Sequence, residues 1–204
     1  LFKTYSFMLY LMPVAGVLIV LFHQMFHEIG NRGTNLILES ISSNEKIHMT
    51  TLPCSFVSTI LSQAVGASAG KEGAALQIGG CIGNYLGDLF HMDERDKKVM
   101  IMSGMSGCFG AIFGTPLAAA MFGIEVISIG VAYYAALVPC VFASFIGAQI
   151  SGALGLHGEA FQILHVPEFS LVPALYTVGL GLACALLSVC CCILLHEARH
   201  LYKK

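Results

Sequence analysis

Residues 70–80 read GKEGAALQIGG and place two charged side chains inside a long apolar region. Lys71 and Glu72 are the only Lys, Arg, Asp or Glu residues between Ile47 and Gly87, and glycine stands on both sides of the pair. An ionisable group inside a membrane costs roughly 2.5 to 3.5 kcal/mol on insertion scales, so it is retained mainly where it has a function. The stretch therefore predicts a functional site within a membrane.

The composition of the whole chain supports a membrane location. Of 204 residues, 56% are hydrophobic and 11% are charged, whereas soluble domains carry roughly 25% charged residues. The formal net charge of −2 provides no basic surface, which removes nucleic acid from the expected partners. We therefore predict an all-α integral membrane protein that lies in a lipid bilayer.

Stretches without Asp, Glu, Lys or Arg predict the membrane helices, because about 20 apolar residues span a bilayer. Residues 126–158 are too many for one span, and Pro139 is expected to break them into two helices. The other predicted segments are 4–27, 47–70, 73–87, 99–124 and 169–195.

Glycines interrupt several of these segments. Gly114 and the following Thr115-Pro116 are predicted to break the segment 99–124. Short hydrophobic segments interrupted by Gly or Pro indicate discontinuous helices whose ends meet a transported ion. Residues 79, 83 and 87, all glycine, instead predict a stripe of small residues for close helix packing.

Glu72 is predicted to lie at the start of a helix. The first N–H groups of a helix have no internal partner and the helix dipole is positive there, so this end can bind an anion. The carboxylate of Glu72 would occupy the site when charged and leave it to a halide when protonated. One side chain would then couple proton movement to anion movement. The alternative is that Lys71 and Glu72 only neutralise neighbours at a membrane surface.

Two blocks of the sequence resemble the CLC family of chloride channels and anion/proton antiporters. Members carry Gly-Arg/Lys-Glu-Gly-Pro at a helix start, followed by Gln and Gly-Gly, and residues 70–80 match this block with Ala74 in place of the proline. The second block is Pro-Leu-Ala and an apolar run that ends in Glu, here residues 116–125. The resemblance extends from about Val14 to the end of the chain.

The resemblance implies broken and tilted helices around an anion pathway, with no enzymatic activity and no cofactor. It identifies Glu72 as the gating glutamate and Lys71 as a basic neighbour that raises the local anion concentration. It also implies a homodimer with one pore per subunit, and we expect a bacterial inner (plasma) membrane. The anion-binding residues that it implies at this helix start are Gly70, Lys71 and the backbone N–H groups of Gly73, Ala74 and Ala75.

The first departure from the family concerns the transported ion. The family's first anion motif is Gly-Ser-Gly-Ile-Pro, whose serine hydroxyl donates to chloride, and the corresponding residues 30–35 here read GNRGTN. Fluoride holds its water more strongly than chloride, and Asn and Thr side chains offer donors to replace that water. We therefore expect a fluoride/proton antiporter, with a chloride channel or chloride/proton antiporter as the alternative. The anion-binding residues predicted here are Asn31, Arg32, Gly33, Thr34 and Asn35, for which helix capping is a compatible alternative role.

The second departure concerns the proton acceptor, which in many family antiporters is the second of two adjacent glutamates. Glu125 takes the first of these places and Val126 takes the second. Glu125 is therefore a candidate for the proton path. The alternative is that its carboxylate is a structural partner for a helix end.

The third departure is length. The family fold has two inverted halves that together enclose the pore, and the motifs of the second half do not occur in this sequence. We therefore predict a single transmembrane domain over residues 1–204 that corresponds to roughly the first half of the fold, and we interpret the chain as partial.

A rival function comes from residues 196–200, HEARH, which form the His-Glu-x-x-His zinc pattern of metalloproteases. Only four residues follow the pattern, and no third ligand stands at a recognisable spacing. Arg199, Lys203 and Lys204 instead fit a helix end at the membrane interface. We expect no metal site, and an intramembrane zinc metalloprotease is the alternative outside the transport class.

Overall fold

The computed structural model of the chain describes residues 10–26, 37–38, 40, 47–67, 70–126, 133–156 and 170–202. Every regular element in these ranges is helical, which confirms the predicted all-α class. The described residues also include a 3₁₀ turn at Tyr134–Ala136. The α-helices with described bounds are α1 (Met12–Met25), α2 (Thr51–Ala64), α3 (Glu72–Leu89), α4 (Glu94–Phe113), α5 (Pro116–Glu125), α6 (Leu137–Ala153) and α7 (Leu171–Tyr202).

Helices α3 and α4 lie antiparallel with their backbones in contact. A Cβ added to Gly79 would collide with the carbonyl of Gly104, and one added to Gly83 would collide with the carbonyl of Met100. Gly87 continues the contact towards the end of α3. The stripe of small residues thus allows close helix packing, which confirms its predicted role.

The predicted break in the segment 99–124 lies between α4 and α5. Helix α4 ends at Phe113, and the next residue, Gly114, has a φ of 65°, the left-handed conformation that favours glycine. Helix α5 begins at Pro116, a favoured first position because a helix start needs no N–H there. The ring of Phe109 stacks on that of Phe122 with centroids 4.6 Å apart, so α5 folds back along α4.

Helix α6 corrects the prediction for residues 126–158. Pro139 is the third residue of α6 and lies in its first turn, where its missing N–H removes no internal hydrogen bond. It therefore does not divide the segment, and one helix continues to Ala153. Cys140 places its Sγ 4.0 Å from Oγ of Ser103 on α4, so α6 packs against α4 near its own start.

The charged segment between α3 and α4 forms a capped turn. Asp93 is the N-cap of α4, and its carboxylate accepts a hydrogen bond from the N–H of Asp96 at 2.8 Å. The Lys97 ammonium lies 2.6 Å from Oδ1 of Asp88, whose side chain is 59% exposed. This ion pair therefore lies at the surface and links the end of α3 to the start of α4.

Two described helical segments are long and apolar enough to cross a membrane by length and composition. They are Tyr134–Ala153, with a mean hydropathy of 1.6, and Leu171–Ala198, with a mean hydropathy of 2.7. Met12–Met25 and Pro116–Glu125 are apolar but shorter, with 14 and 10 residues. At 1.5 Å per residue, α5 measures about 15 Å, roughly half of the hydrocarbon core.

The chain divides into two compact units, Leu1–Ala160 and Phe161–Lys204. The core of the first unit lies between α3, α4, α5 and α6 and includes the buried side chains of Leu76, Met102, Met105, Ile124 and Cys140. The second unit contains α7. The single domain over residues 1–204 stays a prediction.

Candidate functional site

Glu72 is the first residue of α3, as the sequence predicts, and its side chain is exposed. The carboxylate folds back towards the preceding residue: a Cβ added to Gly70 would collide with Oε2 of Glu72 and would lie 3.3 Å from its Cδ. A side chain at residue 70 would occupy the space that the carboxylate fills. A larger residue at position 70 would therefore displace the Glu72 carboxylate, which is the end of a flexible, exposed side chain.

The helix start offers two backbone donors beyond Glu72 itself. The N–H of Ala75 donates to the carbonyl of Lys71 at 3.0 Å, the first internal bond of α3. The N–H groups of Gly73 and Ala74 precede this bond, so they are the ones that can face an anion. Lys71 has helical dihedral angles, and its carbonyl already accepts from the N–H of Ala75, so this N–H has an internal partner; its role as an anion ligand stays a prediction.

Helix α2 packs against α3 through polar side chains. The Ser55 hydroxyl donates to Oε1 of Gln77, and beyond the start of α2 Nδ2 of Asn84 donates to the carbonyl of Ile47 at 3.5 Å. A later residue of α3 is thus bonded to an earlier residue on α2 or just before it. The two helices are therefore antiparallel. Sequence reasoning missed this contact, although Ser55, Ser58 and Ser62 follow helical spacing in an apolar segment.

The break between α4 and α5 lies near the level of Glu72. Gly79 meets Gly104 and Gly83 meets Met100, so the antiparallel register places residue 72 beside about residue 111 of α4. Helix α4 ends two residues later and α5 begins at residue 116. The starts of α3 and α5, two positive dipole ends, therefore lie near one level of the fold.

Glu125 lies at the other end of α5, and the structure does not bring it to Glu72. Gly123 packs against Ser106 and near Met102, so Glu125 lies at about the level of residue 102 of α4. Nine residues of helix separate that level from residue 111, a rise of about 14 Å. The two carboxylates therefore cannot exchange a proton directly.

Tyr133 closes the end of α5 beside Glu125. Its N–H donates to the carbonyl of Ile124 at 3.4 Å, and its hydroxyl accepts from Nε of Arg95 at 3.3 Å. This hydrogen bond is the main cause that raises the pKa of Arg95 above its ordinary value, and the guanidinium stays charged. The side chain of Arg95 thus connects the start of α4 to the segment before α6.

The other predicted anion site, Asn31, Arg32, Gly33, Thr34 and Asn35, lies outside the residues that the structure describes. These five residues stay predicted ligands.

Comparison with known proteins assigns the family. A model of the voltage-gated chloride channels matches residues 14–204. The chain belongs to this family, the CLC proteins. Members of the CLC family are integral membrane proteins, which agrees with the composition of the chain and with the two long apolar helices of the structure.

Three relatives illustrate the similarity. A protein named chloride/fluoride channel protein, from Pseudomonas syringae pv. tomato, is 35% identical over 181 residues, which are 88% of this chain and 40% of the relative. An H(+)/Cl(−) exchange transporter ClcA from Vibrio cholerae is 30% identical over 132 residues, 64% of this chain and 28% of the relative. A crystal structure of a CLC-type fluoride/proton antiporter matches with a TM-score of 0.76 and 30% identity, covering 86% of this chain and 45% of that chain. The chain thus spans less than half the length of each relative, and the CLC-type fold of broken helices is confirmed over that part.

The alternative of a zinc metalloprotease gains no support from the described residues. His196 and Glu197 lie exposed on α7, while the side chain of His200 is outside the described part. Among the described residues, no three His, Cys, Asp or Glu side chains lie close enough together to hold a metal ion.

Proposed function

We propose that the protein carries halide anions across a membrane in exchange for protons, with fluoride preferred over chloride and with Glu72 as the gate. The observation that carries this proposal is the position of the Glu72 carboxylate, which is folded over Gly70 at the first turn of α3, where the N–H groups of Gly73 and Ala74 precede the first internal hydrogen bond. A carboxylate and a halide need the same donors at this helix start. Only one of them can use the donors at a time.

The exchange follows from the charge of this one group. A charged Glu72 competes with the halide for the N–H groups and for the positive end of the helix dipole. A proton on the carboxylate removes its charge, weakens its attraction to the helix start and leaves the donors to the anion. Proton binding on one side of the membrane and release on the other would then couple the two ions.

The preference for fluoride is supported by two of the relatives. The antiporter of the crystal structure is a fluoride/proton antiporter, and the Pseudomonas relative is named a chloride/fluoride channel protein. The Vibrio relative exchanges protons for chloride, so a chloride/proton antiporter is the second candidate. The side chains of Asn31, Thr34 and Asn35 would supply the additional donors that fluoride requires.

The wider expectations form part of the same proposal. We place the protein in the plasma membrane of a bacterium, since the Pseudomonas and Vibrio relatives are bacterial. We propose a homodimer, and a transporter that catalyses no covalent reaction. Glu125 stays a candidate for the proton path. A path through it would need intermediate groups over the rise of about 14 Å that separates it from Glu72.

The test is ion efflux from liposomes that contain the full-length protein, measured with fluoride and chloride electrodes and a pH probe. We expect fluoride efflux with protons moving in the opposite direction, and loss of proton coupling in Glu72→Ala. Glu94→Ala is the matched control, because Glu94 is also an exposed glutamate at the first position of a helix. Chloride efflux at the same rate as fluoride would reject the ion preference. Unchanged coupling in Glu72→Ala would reject the gate, and absence of halide flux would reject the function.

A further inference from the structure

The hydroxyl of Ser58 on α2 is buried and has no hydrogen-bond partner among the residues that the structure describes. Ser106 on α4 also lacks a partner in the described part of the chain, whereas several other hydroxyls in the described helices donate to a carbonyl of the preceding turn. Thr59 donates to the carbonyl of Ser55 at 2.7 Å, and Ser103 donates to that of Val99 at 2.8 Å. A buried hydroxyl without a partner is destabilising, so the donor of Ser58 is available for a ligand.

The packing of α2 on α3 places this hydroxyl near the first turn of α3. Ser55 is bonded to Gln77, and the helices are antiparallel. Ser58 is one turn after Ser55 on α2, and Ala74 is one turn before Gln77 on α3. Because the helices are antiparallel, these two steps run in the same direction in space. Ser58 therefore lies at the level of Ala74, next to the turn that begins with Glu72.

Gln77 adds donors to the same interface between α2 and α3. Its Oε1 accepts from Ser55, which leaves Nε2 with two N–H groups as the donor part of the side chain. Between α2 and the first turn of α3, the described polar groups thus provide O–H and N–H donors and no carboxylate other than Glu72. O–H and N–H donors are the groups that bind an anion.

We infer that Ser58 and Gln77 form an anion subsite at the interface between α2 and α3, one turn along α3 from the proposed gate. This subsite favours fluoride over chloride. The inference rests on the proposed function. Fluoride is the smaller and more strongly hydrated halide, so it gains more from a compact hydroxyl donor than chloride does. The halide would lie at this subsite while the Glu72 carboxylate occupies the helix start.

The test compares two adjacent hydroxyls in the full-length protein. Ser58→Ala removes the unpartnered donor, whereas Thr59→Val removes a donor already bonded within α2. We expect Ser58→Ala to lower the ratio of fluoride to chloride efflux rates about tenfold, because one hydrogen bond to a charged ligand is lost. We expect Thr59→Val to change the ratio less than about twofold. Fluoride titration calorimetry in detergent should show the same difference in Kd.

A second variant keeps the test decisive if Ser58→Ala does not fold. Gln77→Met keeps the length of the side chain and removes its donors, and it should weaken fluoride binding more than chloride binding. The proposed function stands if wild type moves halide and Glu72→Ala loses proton coupling. The subsite is rejected in that case if Ser58→Ala or Gln77→Met keeps the wild-type ratio of efflux rates and the wild-type Kd for fluoride. If wild type moves no halide, the proposed function fails and the subsite fails with it.

Discussion

The substitution Gly83→Ala tests whether the backbone contact between α3 and α4 holds the candidate site in place. A Cβ at this position would lie 2.7 Å from Cα of Ile101 and 2.8 Å from the carbonyl carbon of Met100. Ordinary contacts begin at 3.4 Å, so the helices would have to separate by at least about 0.7 Å, and by more to clear the carbonyl oxygen of Met100, which is the nearest atom. The obstructing atoms belong to the backbone and cannot rotate away. The upper part of the overpacking range, about 3 kcal/mol, therefore applies.

Alanine also favours a helix more than glycine does, by about 1 kcal/mol. The expected net destabilisation of Gly83→Ala is therefore about 2 kcal/mol. The matched control is Gly16→Ala in α1, where an added Cβ meets nothing within 4 Å. This control should keep or raise the stability, by up to about 1 kcal/mol.

The assay is thermal unfolding of the purified full-length protein, followed by size-exclusion chromatography. Gly83→Ala should lower the Tm by about 4 °C relative to wild type, and Gly16→Ala should not lower it. Halide efflux from liposomes should fall in parallel, because α3 carries Glu72 at its start. Equal Tm values and equal efflux for the two variants would show that the glycine stripe does not hold α3 and Glu72 in place.

Three further substitutions are expected to change stability by amounts that the same thermal assay can measure. Asp93→Ala removes the cap that accepts from the N–H of Asp96 and should cost about 1 kcal/mol, with Asp93→Asn close to wild type. Gly114→Ala forces a side chain into the left-handed conformation and should cost about 1–2 kcal/mol; no loss would contradict the positive φ at this helix end. Lys97→Met removes the surface ion pair with Asp88 and should cost less than about 1 kcal/mol, with a smaller difference at high salt.

The sequence predicted those parts of the fold that depend on local chemistry. The break at residues 114–116 was predictable because Gly114 supplies a left-handed dihedral angle and Pro116 suits the first position of a helix. Pro139 misled the prediction for the opposite reason. The same residue type breaks a helix in its interior but not in its first turn, and only the structure shows where α6 begins.

The candidate site was predictable at Glu72 and less so around it. A lone carboxylate between glycines in an apolar segment points to a helix start without knowledge of the rest of the fold. The contribution of Ser58 depends on which helix packs against α2. That packing is seen in the bond between Ser55 and Gln77, which are 22 positions apart in the sequence. The separation of Glu125 from Glu72 likewise follows from the packing of α5 on α4 and from no local pattern.

The backbone contact between α3 and α4 also determines which part of the proposed gate can move. Turning α3 by one residue, about 100°, would bring the side chain of Ile82 or Asn84 against a surface that only glycine fits. Helix α3 must therefore move with α4 as a rigid body, and the moving part of the proposed gate would be the side chain of Glu72. Exposed side chains change rotamer in picoseconds to nanoseconds, whereas helix displacements take microseconds or longer. The time for one exchange cycle would then be set by the arrival of the proton and by the removal of water from the halide.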